Sequence, residues 1–390
     1  DAVVTLNNVM ATTDAYGNFY YKNASLNALG ALVRVDKDGF FQGSRRFFPK
    51  ANQENRVQIQ LLEKTIVGSF QTNTGGKIDI GNASVDFDPS SIRLENGDAY
   101  SGEVMVAAKW LDPSIAITLD QMPGNLIGVN AEVEEVALST YGMIAVELEG
   151  SNGEALNIVN DQTAQISMNV PANLLASAPN EIPLWSYNEQ YGIWVEEGKA
   201  TLQNNQYVGE VSHFSFWNCD VPADMVELSL SLEDGNGTPL ANHKVRLSLS
   251  SNASTCSGYT DSDGNISGFV HKDEAITLEV LDVCQNVIYT DQIGPFSSDT
   301  DLGTITVTGS TANNTSISGT LVDCSGNPVN NGAIVVEYSG RVFSYNLTDA
   351  DFDISFTTCD AVSSVSLTGV NIDNEEQGAT IDVTPNAQND

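Results

Sequence analysis

The sequence predicts an all-β fold built from tandem β-sandwich domains of the immunoglobulin-like or transthyretin-like kind, and two observations support this. Short runs that alternate apolar and polar residues are separated by Gly, Asn and Asp turns, a pattern typical of sandwiches and barrels. Helical periodicity is almost absent, and only Ala172–Ser177 has the pattern of a brief helical turn. A chain of 390 residues suits about three or four domains. Clear alternating runs are Ala31–Val35, Val226–Leu232 and Ile276–Leu281.

The composition excludes some classes of partner. The chain has 16 basic and 51 acidic residues, which give a formal net charge of −35. A polyanion cannot release counterions from nucleic acid or coat an anionic membrane, so we expect neither partner. The sequence has no apolar run long enough to span a membrane. It opens at Asp1 on the strand-like stretch Val3–Leu6, which favours removal of an upstream segment and an extracellular, cell-surface location.

A cassette of strand, turn, strand and Thr-Asp hairpin occurs three times. The hairpin aspartate is expected to brace a tight turn, and the glycine that follows is expected to adopt a positive φ. The cassette resembles the carboxypeptidase regulatory-like, or transthyretin-like, sandwich module. The three copies run from Thr13-Asp14 to Gly39-Phe40, from Leu230–Leu232 to Gly264-Asn265, and from Ile317–Val322 to Thr348-Asp349.

The stretch between the first and second copies has a different character. It contains Leu184–Tyr187 (Leu-Trp-Ser-Tyr) and Gly192–Gly198, and it ends on His213–Trp217 (His-Phe-Ser-Phe-Trp). These strings resemble the β-sandwich pair of cartilage intermediate layer proteins. They are also similar to a domain shared by ankyrins, netrin receptors and a death-domain protein. Together with regulatory-like modules, the combination resembles surface proteins and lipoproteins of Bacteroidota-type bacteria.

Four domains follow from this division of the chain. The first and last copies look incomplete: Asp1 corresponds in position to Asn331, after the opening strand of the module, and the sequence stops where a closing strand would start. We therefore predict a regulatory-like sandwich lacking its first strand (1–65), a larger β-sandwich block (66–219), a regulatory-like or immunoglobulin-like sandwich (220–310) and a regulatory-like sandwich short of its last strand (311–390).

An incomplete sandwich exposes unpaired backbone and an apolar groove. Two explanations stay open: the sequence is part of a longer protein, or another subunit supplies the strand, as in donor-strand assembly. For the second explanation the candidate donor is an alternating segment near the end of the chain, composed of Gly378, Ala379, Thr380, Ile381, Asp382, Val383 and Thr384.

One motif offers definite chemistry. In the death-domain relatives, His-Phe-Ser is a self-cleavage site, at which the serine hydroxyl attacks the preceding carbonyl and water then splits the ester. The resemblance implies Ser215 as nucleophile, the Phe214 carbonyl as target and His213 as base or strain element. The alternative is that the segment simply belongs to a final strand, with Phe214, Phe216 and Trp217 as its apolar residues. No other enzymatic motif is present in the sequence, and we expect no enzyme that turns over.

Calcium is the one cofactor that the carboxylates suggest. Asp36, Asp38, Asp261 and Asp263 lie in Gly-rich turns and carry oxygen ligands of the kind that calcium prefers. No stretch fits the twelve-residue calcium loop, and turn capping is the alternative role. The aromatic cluster Trp185, Tyr187, Tyr191 and Trp194 allows a carbohydrate platform, with packing of a hairpin as the other interpretation.

The five cysteines are widely spaced, which favours disulfides in an oxidising compartment over a metal site. Pairs Cys256–Cys284 and Cys324–Cys359 would each close a loop within one domain and leave Cys219 unpaired.

These features predict an extracellular structural subunit of a surface filament or stalk, in which copies associate head-to-tail by sharing strands. The alternative is a surface lipoprotein or adhesin that binds glycan or matrix protein.

Overall fold

The fold is all-β. The computed structural model describes residues 1–14, 17–27, 30–49, 55, 57–241, 243–251, 255–261, 263–282, 284–308, 313–338, 341–359, 361–385 and 388–389. Within those ranges there is a single α-helix of six residues, against 32 strands. The predicted helical turn at Ala172–Ser177 is a run of turns, held by N–H donation from Leu174 to the Pro171 carbonyl and from Ser177 to the Leu174 carbonyl.

The first module has one four-stranded antiparallel sheet, in the order β2-β1-β3-β4. Its buried face is covered by two extended segments, 17–21 and 57–61, in which Phe19, Tyr21, Val57, Ile59 and Leu61 turn toward the core. Neither segment forms a ladder with a described strand. The strands are β1 (Val3–Leu6), β2 (Val9–Thr12), β3 (Ala31–Asp36) and β4 (Gly43–Phe47).

The larger block is one sheet of 13 strands, which bends around two hydrophobic cores. Its elements are β5 (Ile66–Gln71), β6 (Gly76–Asp79), β7 (Ala83–Phe87), β8 (Ile92–Leu94), β9 (Glu103–Leu111), α1 (Ala116–Gln121), β10 (Ile127–Val129), β11 (Glu135–Gly150), β12 (Ala155–Ile158), β13 (Ala164–Asn169), β14 (Glu181–Asn188), β15 (Ile193–Gln203), β16 (Gln206–Val211) and β17 (Phe216–Ala223).

The first module and the larger block share a core. Phe41 and Leu62 pack with Trp185, Trp194 and Phe216 in the smaller of the two cores, and the Phe41 and Phe216 ring centroids are 5.8 Å apart. The buried Ser44 hydroxyl lies 2.6 Å from the Tyr187 hydroxyl. Because burying aromatic rings contributes strongly to packing, this shared core stabilises the junction between the first module and the larger block.

The third module is a sandwich of two sheets, β21-β18-β24 and β20-β19-β22-β23. Leu230 and Leu232 of the first sheet pack against Val245, Leu278 and Val280 of the second. The strands are β18 (Met225–Asp234), β19 (Lys244–Leu249), β20 (Thr255–Tyr259), β21 (Asn265–His271), β22 (Ile276–Leu281), β23 (Val287–Ile293) and β24 (Thr300–Val307).

The fourth module repeats this plan with sheets β28-β25-β32 and β27-β26-β29-β30, and β31 also pairs with β29. The closing strand β32 runs parallel to β25, as β24 runs parallel to β18. Its two residues stand at the start of the strand position that the sequence predicted to be deficient. The strands are β25 (Asn313–Thr320), β26 (Gly332–Tyr338), β27 (Arg341–Leu347), β28 (Asp351–Thr358), β29 (Val365–Asn371), β30 (Glu376–Gln377), β31 (Ile381–Val383) and β32 (Gln388–Asn389).

Candidate functional sites

The His213-Phe214-Ser215 segment lies in the loop between β16 and β17. The Phe214 ring packs on the larger core, with its centroid 5.4 Å from that of Phe87. Three backbone groups hold the segment in place: the Phe214 N–H donates to Asn157 Oδ1 (3.1 Å), the His213 carbonyl accepts from Trp217 Nε1 (3.0 Å), and the Ser215 carbonyl accepts from the Val146 N–H (3.2 Å). Only Phe216 and Trp217 belong to the strand that follows.

Glu197 is the partner of His213. His213 Nε2 is 3.0 Å from Glu197 Oε2, and the Ser186 and Ser212 hydroxyls donate to the same carboxylate at 2.9 and 3.4 Å. Burial acts to raise the pKa of Glu197, but the hydrogen bonds from His213 and the two serines outweigh it and lower the pKa overall. Glu197 is therefore a carboxylate anion, and it orients the imidazole ring of His213.

The geometry does not join the predicted base and nucleophile. The Ser215 hydroxyl donates to the Phe216 carbonyl at 3.1 Å, downstream of the Phe214 carbonyl that it would have to attack. His213 is bonded to Glu197, and its ring lies tilted against that of Trp217, with ring centroids 5.1 Å apart. Attack on Phe214 would require rotation of the Ser215 side chain and a change of partner for His213.

The aromatic residues proposed as a carbohydrate platform lie mostly in the core. Trp185 and Trp194 have no exposed surface and Tyr187 is 3% exposed, so only Tyr191, at 64%, reaches solvent. Burial raises the pKa of Tyr187 to about 12, with the Ser44 hydrogen bond opposing this. The cluster holds the first module against the larger block and presents no flat aromatic face to a sugar.

The turn aspartates brace their own hairpins. Asp261 Oδ1 accepts from the N–H groups of Asp263 (3.0 Å) and Asn265 (2.8 Å), and Asp36 Oδ1 accepts from the Gln42 amide. The same two-amide pattern repeats at Asp234, Asp282 and Asp323. Within the described ranges, no three His, Cys, Asp or Glu side chains gather as a metal site would require, and Asp36 and Asp38 lie in a different module from Asp261 and Asp263.

The predicted disulfide pairing is wrong. Cys284 bonds to Cys359, with Cα atoms 5.2 Å apart, and the bridge crosses from the third module to the fourth. Cys284 follows β22 in a hairpin turn and Cys359 directly follows β28, so packing of one module on the next brings them together. Cys256 and Cys324 are exposed thiols, and Cys219 is a buried thiol as expected.

The predicted donor segment pairs within its own module. Ile381, Asp382 and Val383 pair with Leu367, Ser366 and Val365 of β29, and the Gly378 N–H donates to the Gly369 carbonyl. Val383 is buried in the core of its own module. Donating this segment to another copy would leave the edge of β29 unpaired and remove Val383 from the core of its own module.

A buried polar cluster in β17 was not predicted from the sequence. Asn218 Nδ2 donates to Asp220 Oδ2 (2.6 Å), the Thr140 hydroxyl donates to Asn218 Oδ1 (2.7 Å), and Trp185 Nε1 donates to the Asp220 carbonyl (3.0 Å). Asp220 Oδ1 has no hydrogen-bond partner, and burial raises the pKa of Asp220 well above its usual value. The cluster lies beside the bulge of β11 at Thr140–Met143.

Three comparisons with known proteins place the chain only broadly. No family model matches it. Cartilage intermediate layer protein 1 of Sus scrofa is 28% identical over 151 residues, which are 34% of this chain and 24% of that protein. The Homo sapiens protein is 28% identical over 156 residues, 36% of this chain and 13% of that protein. The chain therefore spans about a quarter or less of these relatives.

Solved structures resemble the chain at low similarity. The shaft pilin SpaA of Lactobacillus rhamnosus GG is 10% identical with a TM-score of 0.22, covering 42% of this chain and 95% of the pilin. A DUF3823 family protein of Parabacteroides merdae is 10% identical with a TM-score of 0.21, covering 42% and 98%. The Bacillus anthracis TIE protein is 10% identical with a TM-score of 0.21, covering 100% and 73%. The chain thus shows weak homology to cartilage intermediate layer proteins, on an all-β fold.

Proposed function

We propose that this protein is an extracellular structural subunit of a cell-surface filament or stalk, in which copies join by sharing strands. The observation that carries the proposal is that each module is joined to the next by a shared core, an ion pair or a disulfide. Structural subunits transmit force, and that role requires firm junctions between modules.

The junctions between successive modules differ in chemistry. The first module shares the core of Phe41 and Leu62 with the larger block. The larger block meets the third module through an ion pair of Lys244 Nζ and Asp120 Oδ2, 3.2 Å apart, in which the lysine side chain is only 7% exposed. The third and fourth modules are joined by the Cys284–Cys359 bond, which also favours an oxidising, extracellular compartment.

The alternative is a surface lipoprotein or adhesin that binds glycan or matrix protein. The burial of Trp185, Tyr187 and Trp194 removes one glycan surface that it could have used. No helix in the described part of the chain is long and apolar enough to cross a membrane.

Electron microscopy of the purified protein across concentration, salt and pH tests the proposal. We expect filaments or head-to-tail oligomers above a threshold concentration. Monodisperse single particles under every condition, confirmed by sedimentation velocity, would overturn the proposal.

A further inference from the structure

The first module touches all three of the other modules. Besides the core that it shares with the larger block, its Phe48 meets Phe269 of β21 in the third module edge to face, with ring centroids 5.0 Å apart. Its Lys22 forms an ion pair with Asp373 of the fourth module. The modules therefore do not form an open string, because the first lies against the third and the fourth.

The hydrophobic cores divide the molecule into two parts. The first module and the larger block share a core, and we call them the body (residues 1–223). The third and fourth modules are bridged by Cys284–Cys359, and we call them the arm (residues 225–390). Within the described ranges no hydrophobic core contains residues of both body and arm. Parts of a chain that share no large apolar interface are expected to move relative to each other.

A single residue connects the two parts along the chain. β17 ends at Ala223 and β18 begins at Met225, so only Asp224 lies between the last strand of the body and the first strand of the arm. Hinges of this kind are a few residues at the ends of elements, which absorb the change in backbone angles. Asp224 is therefore the point about which the arm would swing.

Asp373 is positioned for Lys22 by its own module. The Asn331 amide donates to the same carboxylate oxygen at 2.7 Å, and the Asp373 N–H donates to the Asn371 side chain at 3.2 Å. The hydrogen bonds from Lys22 and Asn331 lower the pKa of Asp373. The acidic member of the pair is thus a carboxylate anion that its own turn holds in place.

The ion pair is open to solvent. The Lys22 and Asp373 side chains are 42% and 58% exposed. Exposed ion pairs contribute little free energy, and salt screens them, since the Debye length falls from about 10 Å at 0.1 M to about 3 Å at 1 M. This contact can therefore be broken without disturbing the core of either module.

Net charge favours contact between the first module and the arm. The first module (1–65) holds eight basic and six acidic residues, whereas the arm holds four basic and 23 acidic residues. The stretch 66–219 of the larger block holds four basic and 20 acidic residues, so it repels the arm. The long-range attraction that closes the molecule therefore comes from the first module, and it weakens as salt is added.

We propose that the first module is a clasp that holds the arm against the body, and that the arm swings about Asp224 when the Lys22–Asp373 and Phe48–Phe269 contacts separate. The closed form supplies the firm junction between the larger block and the third module, and high ionic strength opens it. The clasp acts within one copy, so it does not depend on assembly and is tested in the monomer.

Cross-linking with a carbodiimide tests the closed form in the unmodified 390-residue chain. The reagent joins an amine to a carboxylate only where the two are in contact, so we expect an amide between Lys22 and Asp373 in the monomer fraction, identified by mass spectrometry of a digest. Its yield should fall several-fold between about 0.05 M and 1 M NaCl. The internal control is Lys199–Glu181, whose yield should change much less because β14 and β15 hold both residues in one sheet.

Charge reversal tests the pair against the shape of the molecule. Lys22→Glu places two acids opposite each other, so we expect a larger maximum dimension in small-angle X-ray scattering at low salt, and up to about fivefold faster proteolysis near Asp224. Combining Lys22→Glu with Asp373→Lys restores opposite charges and should restore the compact form. Lys199→Glu breaks an exposed pair within the larger block and should change neither readout.

The aromatic contact is tested in the same way. Phe48→Ala should make the arm open at a lower salt concentration, and Phe48→Ala combined with Lys22→Glu should keep it open throughout. Tyr20→Ala is the control, since Tyr20 is 54% exposed in the same module. Thermal denaturation checks that each variant remains folded.

The failures are distinguishable. A Lys22–Asp373 cross-link that is absent from the monomer, or that forms only between copies in a mixture of isotopically labelled and unlabelled chains, would overturn the clasp. A cross-link that forms while neither salt nor Lys22→Glu changes the maximum dimension would show a fixed arm, and would overturn it as well. Neither result bears on the proposed function, which fails only if the unmodified chain never assembles.

Discussion

Cys284 of the third module is bonded to Cys359 of the fourth, at a sequence separation of 75 residues. The bond lets a pulling force pass from Cys284, after β22, directly to Cys359 without loading β23–β28, which lie between the two cysteines. The third and fourth modules are therefore connected under load by the disulfide as well as by the main chain.

Reduction of this bond should lengthen the extended chain. A loop of 75 residues spans about 250 Å at roughly 3.3–3.6 Å per residue, and the bridge excludes it from extension. In single-molecule pulling, we expect the total unfolded contour length to increase by about that amount after reduction or in a Cys284→Ser, Cys359→Ser variant. Equal contour lengths before and after reduction would show that the bond does not carry the load.

The same variant should be less stable. Removing a native disulfide costs about 2–4 kcal/mol in typical cases. We expect calorimetry to show earlier melting of the third and fourth modules, with the larger block unchanged. The matched control is Cys256→Ser with Cys324→Ser, because both thiols are exposed and unpaired. If the control melts as early as the test variant, the loss reflects the cysteine positions rather than the bond.

The sequence predicted what depends on local pattern and missed what depends on packing between distant elements. Alternation identified β3, β18 and β22, and the Asp-Gly turns between them follow from local hydrogen bonds such as those of Asp261. The disulfide was mispredicted because nearness along the chain was taken as nearness in space. Residues 378–384 alternate equally well as a donor and as β31, so only the free edge of β29 decides between them.

Burial on both faces of β17 explains another miss. Trp217, Asn218, Cys219 and Asp220 have no exposed surface, because the block bends around two cores that lie on opposite faces of this strand. An alternation of apolar and polar residues cannot identify a strand that is buried on both faces. The burial of Asn218 and Asp220 could therefore not be predicted from the sequence.

The buried carboxyl of Asp220 should make stability depend on pH. Its pKa is raised from 3.8 by burial, so the folded state holds a proton that the unfolded state releases. Its contribution to stability is fully present below pH 3.8 and is lost as pH rises toward the folded-state pKa, by up to about 1.4 kcal/mol per pH unit. Asp220→Asn, a neutral isostere, should unfold at higher denaturant concentration at pH 7–8.

The exposed Asp263→Asn is the control for this effect. It removes one carboxylate of the same type without changing a buried group, and it should leave the unfolding midpoint unchanged. If Asp220→Asn is as stable as or less stable than the unmodified chain at pH 8, Asp220 is not held as a neutral acid.

His271 should have the opposite dependence. It lies at the junction of the larger block and the third module, with Nε2 3.3 Å from the Ser139 hydroxyl, and burial lowers its pKa from 6.5 although Glu274 and the Leu138 carbonyl oppose this. Its stability contribution is present above pH 6.5 and is lost as pH falls toward the lowered pKa.

We expect limited proteolysis near Ala223–Met225 to accelerate between pH 6.5 and 5, and His271→Gln to flatten that dependence. His243→Gln is the matched control, since burial lowers the pKa of His243 as well, but its ring bonds to the Ala241 carbonyl in its own module. Equal flattening by both variants would place the effect outside the junction.

The His213-Phe214-Ser215 segment should remain uncut. Self-cleavage requires the Ser215 hydroxyl to reach the Phe214 carbonyl with a base beside it, whereas the hydroxyl bonds to the Phe216 carbonyl and His213 bonds to Glu197. We expect mass spectrometry of the denatured protein to show one intact mass, in the unmodified chain and in Ser215→Ala alike.

Glu197→Gln removes the anion that holds the imidazole, and it is the variant most favourable to cleavage. Two fragments that meet between Phe214 and Ser215, present in the unmodified chain and absent in Ser215→Ala, would show that the serine changes rotamer and that the segment is a processing site after all.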